Sequence, residues 1–174
     1  MAELYGVPHV ATGDILRRHV AERTPLGLEA GTYMARGDLV PDALVVALIA
    51  SEIAGPEPLP GFVLDGYPRT LAQAEAAYRW AKRNDKRFHA AISLAVPEDE
   101  LVRRLLLRGH QEGRMDDTEE TILRRLRVFN EQTEPLLDFY RSREIVLEVD
   151  GTGSVEEVTL RVKEGLDALD PNDG

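Results

Sequence analysis

The stretch Gly61-Phe62-Val63-Leu64-Asp65-Gly66-Tyr67-Pro68-Arg69-Thr70 places a carboxylate and a guanidinium in one short turn. Asp65 suits a metal-bound nucleotide; Arg69 suits a phosphate, which a guanidinium grips through two parallel N–H bonds. Asp65 is also an ordinary turn residue, and the sequence leaves both readings open. More arginines recur near the expected ends of elements: Arg17, Arg104, Arg108, Arg114 and Arg125. Arg104 and Arg108 stand four apart and so share a helix face. Brought to one cleft, such a set would neutralise a polyphosphate; left apart, it would be solvated surface of little energetic consequence. Thr12 and Gln73 can meet a ligand or can simply close helix termini, since Thr70 and Gln73 have the spacing of a capping box. The histidines at 9, 19, 89 and 110 have no paired spacing and read as structural or exposed.

These residues need a frame. Phe62-Val63-Leu64 is a continuous apolar run, the mark of a strand covered on both faces. Asp65-Gly66 and Pro68 then turn the chain, so Asp65 and Arg69 project from the carboxyl end of a strand, where open α/β sheets hold their ligands. Further strands are expected over 7–10, 90–96 and 145–149. Thr12 opens a helix, with Asp14 in its first turn. Thr24-Pro25 starts another, which ends near Gly37. Asp42 begins a third, whose apolar face is Leu44, Val45, Leu48, Ile49 and Ile53. Thr70 leads a helix to about 84, and Pro97 one to 108–109. A polar loop over 110–117 precedes a capping-box pattern at Asp117 and Glu120 and a long helix to about 142. Asp150-Gly151-Thr152-Gly153 turns into a last helix capped by Ser154 with Glu157. Strands alternating with helices imply an α/β fold with a parallel sheet.

At 174 residues the chain reads as one domain with a sizeable core. It contains no cysteine, which excludes disulfides and thiolate metal sites. A formal charge of -10 argues against nucleic acid as a partner. No apolar run nears the ~20 residues of a membrane span, and Met1-Ala2-Glu3-Leu4-Tyr5 lacks the features of a signal peptide. A cytoplasmic enzyme that acts neither on membranes nor on nucleic acid is expected.

Taken together, Ala11-Thr12-Gly13-Asp14-Ile15-Leu16-Arg17, the 61–70 stretch, Asp116-Asp117 through Arg125, and Asp150-Gly151-Thr152-Gly153 resemble adenylate kinase, in order and over nearly the whole chain. The resemblance implies a P-loop NTPase-type α/β fold, a three-layer arrangement of a parallel sheet with helices on both faces. It also implies reversible phosphoryl transfer from ATP to AMP with magnesium, giving two ADP, by an enzyme that is monomeric when complete. In that reading Thr12 and Arg17 meet AMP at the base and the phosphate, respectively. Asp38-Leu39-Val40 hold adenine partly through backbone beside Gln73, and Gly66 and Arg69 complete the AMP site. Arg104 and Arg108 reach ATP phosphates from the lid, Arg114 and Arg125 bridge the nucleotides, and the Gly153 carbonyl meets the ATP adenine. Asp65 acts through Mg2+ and its waters. Residues 12–40 form a mobile AMP flap and 108–118 a short lid, with no cysteines and no room for a zinc-binding hairpin; 1–11, 41–107 and 119–174 form the core.

One family element is not in the sequence. No G-x-x-x-x-G-K-[ST] phosphate loop occurs, and in the family it lies just before the positions matching Met1. The expectation is an N-terminally incomplete enzyme that lacks the central first strand and has impaired turnover. Two alternatives follow: a non-catalytic AMP-binding module, or a kinase for UMP or CMP. Thr12 and Gln73 favour adenine.

Overall fold

The computed structural model describes residues 1–53, 61–113, 118–143 and 145–169. Its first strand, β1 (His9–Ala11), lies parallel to β2 (Val63–Asp65), with Ala11 opposite Asp65. That register brings the carboxyl ends of both strands to one edge, so the turns that follow them meet. β3 (Ala91–Ala95) pairs parallel with β4 (Val146–Asp150), with Ala95 opposite Asp150. All the described strands are parallel, as expected. They form two separate pairs rather than one continuous sheet, and no described strand joins β2 to β3.

Helix α1 (Ala2–Tyr5) ends at Gly6, whose φ of 62° is the left-handed conformation that favours glycine at a helix end. α2 (Thr12–Ala21) leaves β1 directly. Its cap position is Ala11 and Thr12 is already helical, so Thr12 does not cap as the sequence suggested. α3 (Pro25–Met34) starts at Thr24, whose hydroxyl accepts from Gly27 N at 3.0 Å. α4 (Asp42–Ile53) turns Val45, Leu48 and Ile49 into the core; the expected stripe was wider, because Leu44 and Ile53 only border it. Val10, Ile15, Leu16, Ala30, Val40, Tyr67 and Ala77 complete this cluster, which clamps α2, α4 and α5 (Leu71–Arg83) onto the first strand pair.

α6 (Glu98–Glu112) runs past the expected end near 109 and closes on Gly113, φ 62°. Three acidic residues in its first turn favour its amino terminus. The polar loop expected over 110–117 is therefore helical through Glu112, and residues 114–117 lie outside the described residues. α7 (Glu119–Val128) is capped by Thr118, which accepts from Thr121 N at 3.3 Å, rather than by Asp117, itself outside the described residues. The single long helix expected to 142 is broken by a π-helical turn at Phe129–Thr133 before α8 (Leu136–Arg141). α9 (Val155–Leu169) follows β4 and opens with the expected box: Ser154 accepts from Glu157 N at 3.2 Å, and Glu157 accepts from Ser154 N at 2.8 Å.

Candidate active site

The two turns that leave β1 and β2 wall a cavity of about 360 Å³. Thr12 and Arg17 enter from α2; Asp38, Leu39 and Val40 from the segment before α4; Asp65, Gly66 and Arg69 from the β2 turn; and Gln73 from α5. Arg108 of α6 and Arg125 of α7 close the far side, with Leu105 and Phe129 as apolar lining. Residues spread over most of the chain thus converge because the parallel register aligns the strand ends and because α6 and α7 cross the same edge.

Each polar group in this cavity has a traceable environment. Thr12 is 5% exposed, and its hydroxyl is the one buried side-chain polar atom among the described residues without a hydrogen-bond partner. An orphaned buried hydroxyl costs free energy, and a ligand atom can recover it. Arg17 reaches back one turn to the Asp14 carboxylate. Arg69 Nε donates to the Gly66 carbonyl at 2.9 Å, and Thr133 donates to the Arg69 carbonyl at 3.0 Å. Gly66 has φ 69°, and a side chain there would start 2.9 Å from the Arg69 guanidinium, so glycine is needed at this turn. Desolvation lowers the Arg69 pKa, as do the Arg125 and Arg17 charges; Asp65 opposes them. Arg69 therefore sits as a cation in a region that already carries surplus positive charge. The Asp65 carboxylate is exposed and meets His9 Nε2 at 3.2 Å.

Two of the expected site residues, Arg104 and Gly153, do not line this cavity. Arg104 donates from Nε to Glu100 at 2.6 Å and from Nη1 to the Gly151 carbonyl at 2.9 Å, which ties α6 to the turn after β4. Gly153, φ 97°, belongs to that same turn, which Arg161 braces by donating to the Thr152 carbonyl at 2.6 Å. Arg114 lies outside the described residues.

Sequence reasoning missed Arg124 of α7. Its Nε and Nη2 donate to Asp38 Oδ1 at 2.6 and 2.5 Å, and Arg36 reaches Oδ2 at 3.1 Å. The Arg124 hydrogen bond is the main cause that holds the Asp38 carboxyl below its ordinary value of 3.8, and desolvation opposes it. A carboxyl lowered on folding adds stability above its unfolded pKa and loses it as pH falls through the folded value. Arg124→Ala should raise the Asp38 midpoint in a carboxyl-carbon NMR titration, with Arg36 still holding part of the shift; an unmoved midpoint would refute the assignment. Arg124 is half exposed and Asp38 only partly buried, so solvent screens the pair and the effect on overall stability is expected to be small.

Comparison with known proteins decides the family. The model of the adenylate kinase family matches residues 1–145. An adenylate kinase of Nocardioides sp. is 46% identical over 97% of this chain and 88% of its own length. Those of Trichodesmium erythraeum and Thermus thermophilus are 44% and 47% identical, over 97% and 95% of this chain and 89% and 87% of their own lengths. The chain belongs to the adenylate kinase family. Its fold is that family's P-loop NTPase-type α/β fold, and the parallel strands and flanking helices agree with it. As a member it is a phosphotransferase, a nucleotide-binding kinase. Among the described residues no helix is long and apolar enough to cross a membrane.

Proposed function

We propose that this chain moves the γ-phosphoryl group of ATP to AMP, reversibly, and that the 360 Å³ cavity is its AMP site. The observation that carries the assignment is the pairing of an unpartnered buried threonine hydroxyl with four arginines, Arg17, Arg69, Arg108 and Arg125, in one cavity. A nucleoside monophosphate has the matching ends: a base to accept or donate at Thr12 and Gln73, and a dianion for Arg17, Arg69 and Arg125. Leu39 and Val40 offer backbone groups and apolar contact to the base.

In the transfer, the arginines hold the acceptor phosphate and offset the charge that builds on the transferred group, which is the main demand of this chemistry. Arg108, and Arg114 from the 108–118 lid, would reach the donor nucleotide, with Arg104 and Gly153 at the β4 turn nearer its other end. Residues 12–40 would close over AMP, and the lid over ATP, to keep water from the phosphoryl group.

No group of three or more potential ligands is found among the described residues. Mg2+ keeps several waters and arrives with the nucleotide phosphates, needing as few as one carboxylate. Asp65, exposed at the cavity's edge, fits this role through water. The ion would supply charge neutralisation at the phosphates. A cytoplasmic monomer belongs to the same proposal.

Because the 174 residues contain no glycine-rich loop followed by lysine, AMP binding comes first as a test, ahead of turnover. Calorimetric titration should show AMP bound at least tenfold more tightly than UMP. Tighter binding of UMP would move the assignment to a pyrimidine nucleotide, and no binding of either would overturn it. A coupled ADP-formation assay then separates an enzyme from a binding module.

A further inference from the structure

We propose that Asp42 is a positioning residue that fixes the Gln73 carboxamide and thereby sets base selectivity at the monophosphate site. This rests on the AMP reading above.

Gln73 is 2% exposed, and its amide is held at both ends. Its Oε1 accepts from Arg69 N at 2.8 Å, and its Nε2 donates to Asp42 Oδ1 at 2.7 Å. A backbone N–H can only donate and a carboxylate can only accept, so the partners themselves decide which end is oxygen and which is nitrogen. The expected capping box is altered by this. Thr70 does accept from Gln73 N at 3.2 Å, but the Gln73 side chain reaches Arg69 N, one residue before the cap, instead of the cap's own N–H.

Asp42 braces this arrangement from another element. It opens α4, just after the Leu39-Val40 cavity wall, and its second oxygen accepts from the Thr70 hydroxyl at 3.0 Å. Tyr67 donates to the Gln73 carbonyl at 3.2 Å, and its hydroxyl pKa is pushed up to about 12, first by burial and then by the Asp42 charge. One carboxylate thus links the base wall, the cap of α5 and, through Gln73, the backbone of the phosphate-binding Arg69.

The chemistry that follows is specific. An amide has two N–H donors and two acceptor lone pairs. With one of each committed, Gln73 keeps one donor beside one acceptor. Adenine carries the complement, an amino donor next to a ring-nitrogen acceptor. Hypoxanthine carries the opposite, an oxo acceptor next to a ring N–H. Without Asp42, the Nε2 end is released and the amide can turn about its one remaining bond, so the distinction between the two bases should fade.

The test is calorimetric titration of the full chain with AMP and with IMP, alongside thermal melts. Asp42→Ala should weaken AMP binding about tenfold and leave IMP binding nearly unchanged, collapsing the AMP-to-IMP ratio. Asp42→Asn should restore most of that ratio, because its oxygen can still accept from Gln73 Nε2. Thr70→Ala, which removes the cap but keeps the Asp42–Gln73 bond, should lower the melting temperature and retain the ratio. Equal loss for both ligands in Asp42→Ala, or an unchanged ratio, would overturn the positioning role and leave the AMP site standing. A wild-type chain that binds AMP no better than IMP would overturn the base reading of Gln73, and this inference with it.

Discussion

Arg69→Ala is expected to weaken AMP binding about a hundredfold, on the order of 3 kcal/mol, without lowering the melting temperature of the ligand-free chain. The two halves of this expectation have one source. Arg69 lies in the cavity with Arg17 and Arg125, and partial desolvation by the surrounding protein and those like charges lower its pKa. A base whose pKa falls on folding is destabilised as a cation, so at neutral pH its charge opposes folding. A bound phosphate reverses the sign, because it offers an acceptor for the planar fork and offsets the mutual repulsion. Removing the side chain therefore removes a large ligand term and a small self-repulsion. The lost bond from Nε to the Gly66 carbonyl, 2.9 Å long and exposed, sets the opposing structural cost. Arg69→Lys keeps charge without the fork and should fall between, roughly tenfold weaker than wild type. AMP affinity within threefold of wild type in Arg69→Ala would remove Arg69 from the phosphate site.

Much of this site was legible because it is built from strand ends. A continuous apolar run, an Asp-Gly turn and a threonine cap fix where 61–70 turns, and parallel pairing brings the 11–12 turn beside it. Thr12, Arg17, Asp38, Leu39, Val40, Asp65, Gly66, Arg69, Gln73, Arg108 and Arg125 then meet at one cavity, and their roles there are the proposal above. What stayed hidden depends on contacts that no local pattern encodes. The Gln73 amide bonds a carboxylate 31 residues away, and the Arg124–Asp38 pair spans 86. Arg104 shares a helix face with Arg108, yet Glu100 sits one turn before it and the Gly151 carbonyl lies within reach, so it braces the β4 turn. The break at Phe129–Thr133 did have a local signal that the expected helix to 142 passed over: Pro135 has no N–H to donate, and its ring crowds the carbonyl four residues back, at Glu131. A π turn adds one residue to a helical circuit and so depends on what the helix must face.

Gly27→Ala should lower the melting temperature by about 5 °C and weaken AMP binding, although alanine is the better helix former. Gly27 is buried in the first turns of α3, where that helix rests on the end of α2. A β-carbon there would collide with the His19 carbonyl and sit 2.6 Å from Val20 N. Both obstacles are backbone, so no rotamer change can make room, and the helices must part. Overpacking of this kind costs about 1–3 kcal/mol, and the propensity gain of alanine, about 1 kcal/mol, offsets only part of it. The displaced helix is α2, which carries Thr12 and Arg17 into the cavity, so a packing change distant from any ligand should reach binding. Gly31→Ala is the matched control. Its β-carbon would meet only the Val20 side chain, at an ordinary 3.6 Å, so propensity should prevail and stability should hold or rise. If both variants melt alike, the close approach of α2 and α3 at Gly27 does not limit the fold; if Gly27→Ala alone loses stability yet binds AMP normally, α2 does not set the position of Thr12 and Arg17.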